Sequence, residues 1–236
     1  AAGCRRKVSV PQLPLALRYP PDQRLENFIA APQGTVAQLT GIATQPGADW
    51  LYVVGPAGTG KTHLSLALCA ATEQAGRRAA YLPLVAASGR LREALDALEG
   101  NDVLALDGLE AIAGNREDEV ALFDFHNRAR SAGLNVLYSA REIPDALGLC
   151  LPDLRSRLSQ CARLVLPTME DATRAAVLRD RAQRRGLVLE EAAIDWLLTR
   201  TDRDLSRLLL LLDRLDRESL AAQRRITVPF LKQVLA

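Results

Sequence analysis

Lysine is almost missing from this 236-residue sequence: Lys7, Lys61 and Lys232 are the only ones, and the remaining basic charge is carried by arginine. Acidic residues nearly match the basic ones, which leaves a formal net charge of +2. That balance excludes the strong positive footprint of a protein whose main task is gripping nucleic acid. Cys4, Cys69, Cys150 and Cys161 are scattered, with neither CxxC pairs nor histidine-rich spacing. A zinc site or a disulfide framework is therefore excluded, and reduced thiols in a cytoplasmic protein are expected. His63 and His126 have no metal-binding partners at useful spacing. Nothing near the N-terminus has the organisation of a signal peptide, and no apolar run reaches membrane-spanning length, so no membrane partner is expected.

What is present is enough for real cores: 48% of the residues are apolar, and the length suits one or two domains. From Trp50 to Pro167, brief apolar runs alternate with helical patterns. "WLYVVG", "AAYLPL", "DVLALD", "NVLYSA" and "RLVLP" read as five buried strands, each bounded by Gly, Pro, Asp or Asn. Helical spacing follows the "GPAGTGKT" loop and recurs in "SGRLREALDALEG", "EDEVALFDFHNRARSAG" and "LPDLRSRLSQ". This alternation predicts an α/β fold with a five-stranded parallel, doubly wound sheet. Beyond Pro167 only helical patterns remain, so the expected organisation is an arm over 1–20, a nucleotide-binding α/β domain over 21–167 and a small helical domain over 168–236. The dense "LLLLLDRL" belongs to the core of that last domain rather than to a leucine zipper.

The chemistry concentrates in "GPAGTGKT": Gly55, Pro56, Ala57, Gly58, Thr59, Gly60, Lys61 and Thr62. It matches G-x-x-x-x-G-K-[ST] between a predicted strand and a predicted helix, the context that a phosphate-binding loop needs. The glycines let backbone N–H groups turn towards phosphate oxygens, Lys61 reaches the terminal phosphates, and Thr62 coordinates Mg²⁺. In so arginine-rich a chain, a lysine here suits a compact ammonium better than a planar fork. His63 follows directly and is grouped with the loop. "DVLALDG" ends in Asp107, whose carboxylate is placed to hold the Mg²⁺ shell. Gly108 comes next, with Glu110 the nearest acid beyond it.

The layout resembles the AAA+ family, an ATP-binding α/β domain followed by a helical lid. Within that family it is similar to the bacterial replication initiators of the DnaA type and to their shortened regulatory homologues. The similarity runs through "RLENFI", "GPAGTGKT", "DGLEAIAG", "LPDLRSRL", "TDRDLSRLLLLLDRLDRESL" and "RRITVPFLKQVL". It implies ADP or ATP with Mg²⁺ as cofactors, Phe28 and its neighbours near the adenine, and Ser139 as the polar residue that senses the terminal phosphate. A serine ending a strand is also a common cap. "LRSRL" resembles the arginine-finger segment, with Arg157 presented to a neighbouring subunit's nucleotide and Arg155 as its rival. Arg203 matches a second sensor arginine acting on the chain's own nucleotide, with Arg200 and Arg207 as competitors. Members of this family commonly place a glutamate directly after the strand-ending aspartate to position water; Gly108 stands there instead, so tight binding with slow intrinsic hydrolysis is expected. The initiator carries a further helix-turn-helix domain, whereas no such segment follows the lid here, and direct sequence-specific DNA binding is not expected.

"QLPLAL" resembles the Q-L-x-L-x-L sequence with which bacterial replication proteins dock on the DNA polymerase sliding clamp, the beta subunit. Pro14 stiffens the segment, Gln12 makes polar contacts, and Leu13, Leu15 and Leu17 enter an apolar groove. The resemblance therefore implies a nucleotide-bound regulator that docks on the clamp and stimulates ATP hydrolysis by DnaA, self-association into a homodimer being compatible with the architecture. The rival reading is an AAA+ ATPase of the helicase-loader or transposition type that works on single-stranded DNA.

Overall fold

In the computed structural model, residues 19, 22–29, 32–48, 50–200, 205–222 and 226–235 are described. Five parallel strands, β1 (Leu51–Val54), β2 (Ala79–Pro83), β3 (Val103–Asp107), β4 (Asn135–Ala140) and β5 (Ala162–Val165), form one sheet in the order β2-β3-β4-β1-β5. The first helix, α1 (Thr35–Thr44), precedes β1 and was not anticipated; α2 (Lys61–Gln74) connects β1 to β2. After β2 come α3 (Leu84–Ala87) and α4 (Leu91–Asp96), then α5 (Arg116–Ser131) between β3 and β4, and α6 (Pro152–Ser159) before β5.

Successive side chains of a strand face opposite sides of a sheet, and here both sides are covered. Trp50, Tyr52, Leu104, Leu106 and Tyr138 pack with residues of α4, α5 and α6, including Leu122, Phe125 and Leu154. Leu51, Val53, Val103 and Leu137 pack with α1 and α2 through Leu39, Leu64 and Leu68. The expectation of five fully buried strands is corrected at the edges. β1 and β4 are buried throughout, but β2 is half-buried along its length and β5 alternates, because each has a neighbour on one side only. The segment read as one helix in "SGRLREALDALEG" is shorter, since Gly89 (φ 80°) and Gly100 (φ 90°) hold left-handed turns at its ends.

After β5 the chain is helical: α7 (Asp171–Arg184), α8 (Glu191–Arg200), α9 (Leu205–Ala222) and α10 (Val228–Leu235). These share a third core built on Leu178, Ile194, Leu197, Leu212, Leu215 and Leu231. In "LLLLLDRL", Leu208, Leu212 and Leu215 follow the i, i+4, i+7 spacing and are buried, while Leu210 is 68% exposed. The leucine run is thus one face of a core helix. Among the described residues no helix is long and apolar enough to cross a membrane.

Candidate nucleotide site

Because β4 lies between β1 and β3, the strand ends carry three chemical groups side by side. Ser139 pairs in register with Val53 on one flank and with Asp107 on the other. Its hydroxyl donates to Oδ1 of Asp107 and accepts from the Gly108 N–H at 3.1 Å. The other carboxylate oxygen, Oδ2, accepts from Thr62 Oγ1 at 2.7 Å and from the Tyr81 hydroxyl at 2.9 Å. Thr62, Asp107 and Ser139 thus converge, although they come from three separate elements.

The loop before α2 meets this cluster from β1. Lys61 Nζ donates to the carbonyls of Gly55 (2.6 Å) and Pro56 (2.7 Å), which holds the ammonium against the loop, and burial pushes its pKa below the ordinary lysine value. Thr59 is buried and donates to the same Pro56 carbonyl. Helix α2 begins after Gly60 without any side-chain cap, so its first N–H groups are available to an anion. Gly60 sits at φ 95°, and a Cβ there would meet Phe28 Cε2 at 2.4 Å. Only glycine fits, and the Phe28 ring rests directly on the loop.

Phe28 is set by a 3-10 turn, Leu25–Asn27, and stands 5.4 Å from the His63 ring. His63 Nε2 lies 3.0 Å from the Arg24 carbonyl, and burial lowers the imidazole pKa. His63 therefore buttresses the aromatic wall of the cleft. A cleft of about 1120 Å³ runs from Phe28, Ala57, Gly58 and Lys61 past Asp107 to lid residues such as Val177 and Leu209.

A nucleotide fits these residues. The cradle admits no side chain at Gly60, the helix start is uncapped, and the ammonium is aimed along the loop. Thr62 and Asp107 offer two adjoining oxygens, which suits Mg²⁺, an ion that keeps waters and takes its remaining ligands from phosphate. Glu110 is engaged elsewhere: its carboxylate pairs with Arg141 Nε at 3.1 Å and accepts from the Arg141 N–H at 3.3 Å. Gly108 adopts φ 87°, a left-handed conformation that a glutamate in its place would adopt only with strain.

Three features escaped the sequence reading. Tyr81 binds Asp107, Arg141 holds Glu110, and Asp22 joins the segment before Phe28 to the lid. Asp22 Oδ2 lies 3.3 Å from both Arg181 and Arg185, and Arg185 goes on to pair with Asp213. All four line the cleft. Of the competing lid arginines, Arg200 stacks on Trp196 with its Cζ 5.7 Å from the ring centroid, and Arg207 is exposed. Arg203 lies outside the described residues, as do Gln12, Leu13, Leu15 and Leu17.

The finger-like arginines diverge. Arg155 Nε lies 3.9 Å from Asp145. Arg157 is exposed, has no ion pair among the described residues and lines a second cavity, of about 450 Å³, that shares no residue with the nucleotide cleft.

With this geometry in hand, comparison with known proteins identifies the family. Residues 6–142, more than half of the chain, match the family model of the IstB-like ATP binding protein. The chain belongs to the IstB-like ATP-binding family. Residues 171–235 match the model for the lid domain of Hda. Among solved structures, domain III of the Thermotoga maritima replication initiation protein DnaA superposes with a TM-score of 0.76 at 22% identity, over 92% of this chain and 97% of that one. AMPPCP-bound DnaA from Aquifex aeolicus gives 0.64 at 21% identity, over 83% and 66%. The Thermotoga maritima RuvB Holliday junction branch migration motor gives 0.59 at 21%, over 92% and 72%. The fold is that of a DnaA-like AAA+ protein with an Hda-type lid, and the chain is an Hda-like AAA+ ATP-binding protein.

Proposed function

We propose that this IstB-like, Hda-like protein is a regulator of replication initiation: it holds ADP and Mg²⁺ in its own cleft, docks on the DNA-loaded sliding clamp through Gln12 to Leu17, and stimulates ATP hydrolysis by DnaA. The observation that carries the reading is Arg157, exposed and without an ion pair among the described residues, on a cavity separate from the chain's own nucleotide cleft. A guanidinium so placed is available to a neighbour. It neutralises charge developing as water attacks the γ-phosphorus and the bond to the β-phosphate oxygen breaks, giving ADP, phosphate and a proton; such an arginine is worth about 10³ to 10⁵ in rate. Within the chain's own site, Lys61 and the loop N–H groups bind phosphate, Thr62 and Asp107 hold Mg²⁺, Ser139 orients Asp107, and Arg203 completes the lid side. With Gly108 in place of an acid and Glu110 held by Arg141, intrinsic turnover is slow and the bound product persists.

The test is hydrolysis of DnaA-bound ATP in the presence of clamp loaded on DNA. Unmodified protein accelerates it, Arg157→Ala removes the acceleration while still binding the clamp, and Arg155→Ala retains it. A paired Gln12→Ala, Leu15→Ala variant loses the clamp. No acceleration by the unmodified protein overturns the reading. The match over 6–142 and the intact phosphate loop favour a second one, an ATPase acting on single-stranded DNA; robust DNA-stimulated turnover without DnaA or clamp would select it.

A further inference from the structure

The cavity that Arg157 lines has a built interior. Trp50 forms its floor, only 3% exposed, with its indole N–H donating to the Leu134 carbonyl at 2.7 Å. The His126 ring stands edge-on to Trp50 at 4.5 Å and stacks on Tyr138 at 6.0 Å and 7°, with Nδ1 3.1 Å from the Tyr138 hydroxyl. The Arg130 guanidinium also lies over the indole, its Cζ 5.4 Å from the ring centroid. A cation resting on a desolvated indole is held electrostatically and loses little further freedom when it binds an anion.

Charge completes the picture. Gln160, Cys161 and Ala162 close the cavity, and no carboxylate lines it. Several exposed arginines of this domain meet acids, Arg92 with Asp124, Arg128 with Asp96 and Arg141 with Glu110, while Arg90, Arg116 and Arg163 are exposed on other surfaces. Arg130 and Arg157 have no such partner among the described residues. Arg130 and Arg157 line the same cavity as His126, and burial, together with Arg157 and Arg130, drives the His126 pKa down to about 4. Each guanidinium stands in the last turn of its helix, where the carbonyl ends favour a cation, and with no carboxylate between them an anion in the cavity meets both.

We infer that Arg130, seated on Trp50, is a second guanidinium that acts beside Arg157 on the phosphate chain of a nucleotide bound on a neighbouring AAA+ subunit. The neighbour's identity rests on the function proposed above; the anion site itself does not. Arg130 binds and orients the phosphates, and Trp50 positions Arg130.

The experiment has two arms. In the first, full-length protein carrying Trp196→Phe, so that Trp50 is the sole tryptophan, is saturated with ADP and titrated with inorganic tripolyphosphate. A saturable change in Trp50 emission and an upward move of the His126 titration midpoint are expected, because added negative charge favours the imidazolium. Arg130→Gln weakens both at least about tenfold. Absence of any change in the unmodified chain overturns the anion site. In the second arm, stimulated hydrolysis of DnaA-bound ATP is compared between unmodified protein and Arg130→Gln. A fall in the maximal rate of about tenfold or more is expected, with clamp binding and thermal midpoint unchanged. Full stimulation by Arg130→Gln overturns the role towards a neighbour even if tripolyphosphate binds. Failure of the unmodified protein to stimulate sinks the regulator reading, and the first arm then decides the anion site alone.

Discussion

The Thr62 hydroxyl donates to Oδ2 of Asp107 across 2.7 Å, joining the phosphate loop to the end of β3 although 45 residues separate the two in the chain. β4 makes that contact possible by lying between β1 and β3, and Ser139 fills the gap between them. The site is therefore a property of strand order. Asp107 and Ser139 stand at the carboxyl ends of parallel strands and Thr62 at the start of the helix after β1, in the crevice where open α/β sheets bind ligands.

Lys61 is the one lysine among the described residues that line the cleft. Lys61→Ala should weaken ADP binding about 100-fold, or ~2.7 kcal/mol, by isothermal titration, with little change in unfolding of the nucleotide-free protein. Burial lowers the pKa of this lysine, and only the ammonium attracts phosphate. Affinity should therefore fall as pH rises through a range below that of an exposed lysine. An affinity flat across alkaline pH would show that the ammonium contributes nothing.

Asp22 ties the segment before Phe28 to the lid, paired with Arg181 and Arg185 while its own side chain is 18% exposed. Asp22→Asn leaves those two arginines facing each other beside Arg184 in the cleft wall. The lid should then open more readily, and a fluorescent ADP analogue should dissociate roughly three to ten times faster in stopped flow, equivalent to about 1 kcal/mol. An unchanged dissociation rate would mean that these pairs do not hold the lid.

How much of this was legible beforehand depended on the distance over which each residue acts. The loop from Gly55 to Thr62, Asp107 at a strand end and the core leucines of α9 are local patterns, and the structure has them where their spacing put them. Ser139 was legible by resemblance, and β4 brings it to Asp107. Tyr81, Arg141, Asp22 and the stack of Arg130 on Trp50 were not legible, since each acts across 26 residues or more on a partner with no matching local signal. Helix α1 was missed because its face is mixed: Leu39 and Ile42 are buried beside Thr35, with polar residues between.

Glu119 is such a long-range residue, fully buried in α5. Its carboxylate accepts from the N–H groups of Gly114, Cys150 and Leu151 at 2.8, 3.0 and 2.7 Å. It thereby ties the loop after Asp107 to the start of α6, the helix that carries Arg157. Glu119→Ala leaves those donors without their acceptor and should cost about 3 kcal/mol in urea unfolding. Glu119→Gln, which keeps one acceptor oxygen, should cost less. Equal loss in the two variants would point to packing rather than to the hydrogen bonds.

His126 supplies the pH dependence. In the folded chain its pKa is pushed down to about 4 from the ordinary 6.5, by burial first and then by Arg157 and Arg130. Between those values the unfolded chain binds a proton that the folded chain does not, so stability rises with pH there. This contribution is fully present above about pH 6.5 and is lost as the pH falls towards 4. The unfolding midpoint in urea should therefore drop more steeply between pH 7 and pH 5 for the unmodified protein than for His126→Gln, which has no proton to gain. Bound tripolyphosphate, by raising the imidazole pKa, should flatten that slope in the unmodified protein and leave the variant's slope unchanged. Parallel slopes for the two proteins would mean that the imidazole titrates normally, with neither burial nor the two arginines holding its pKa down.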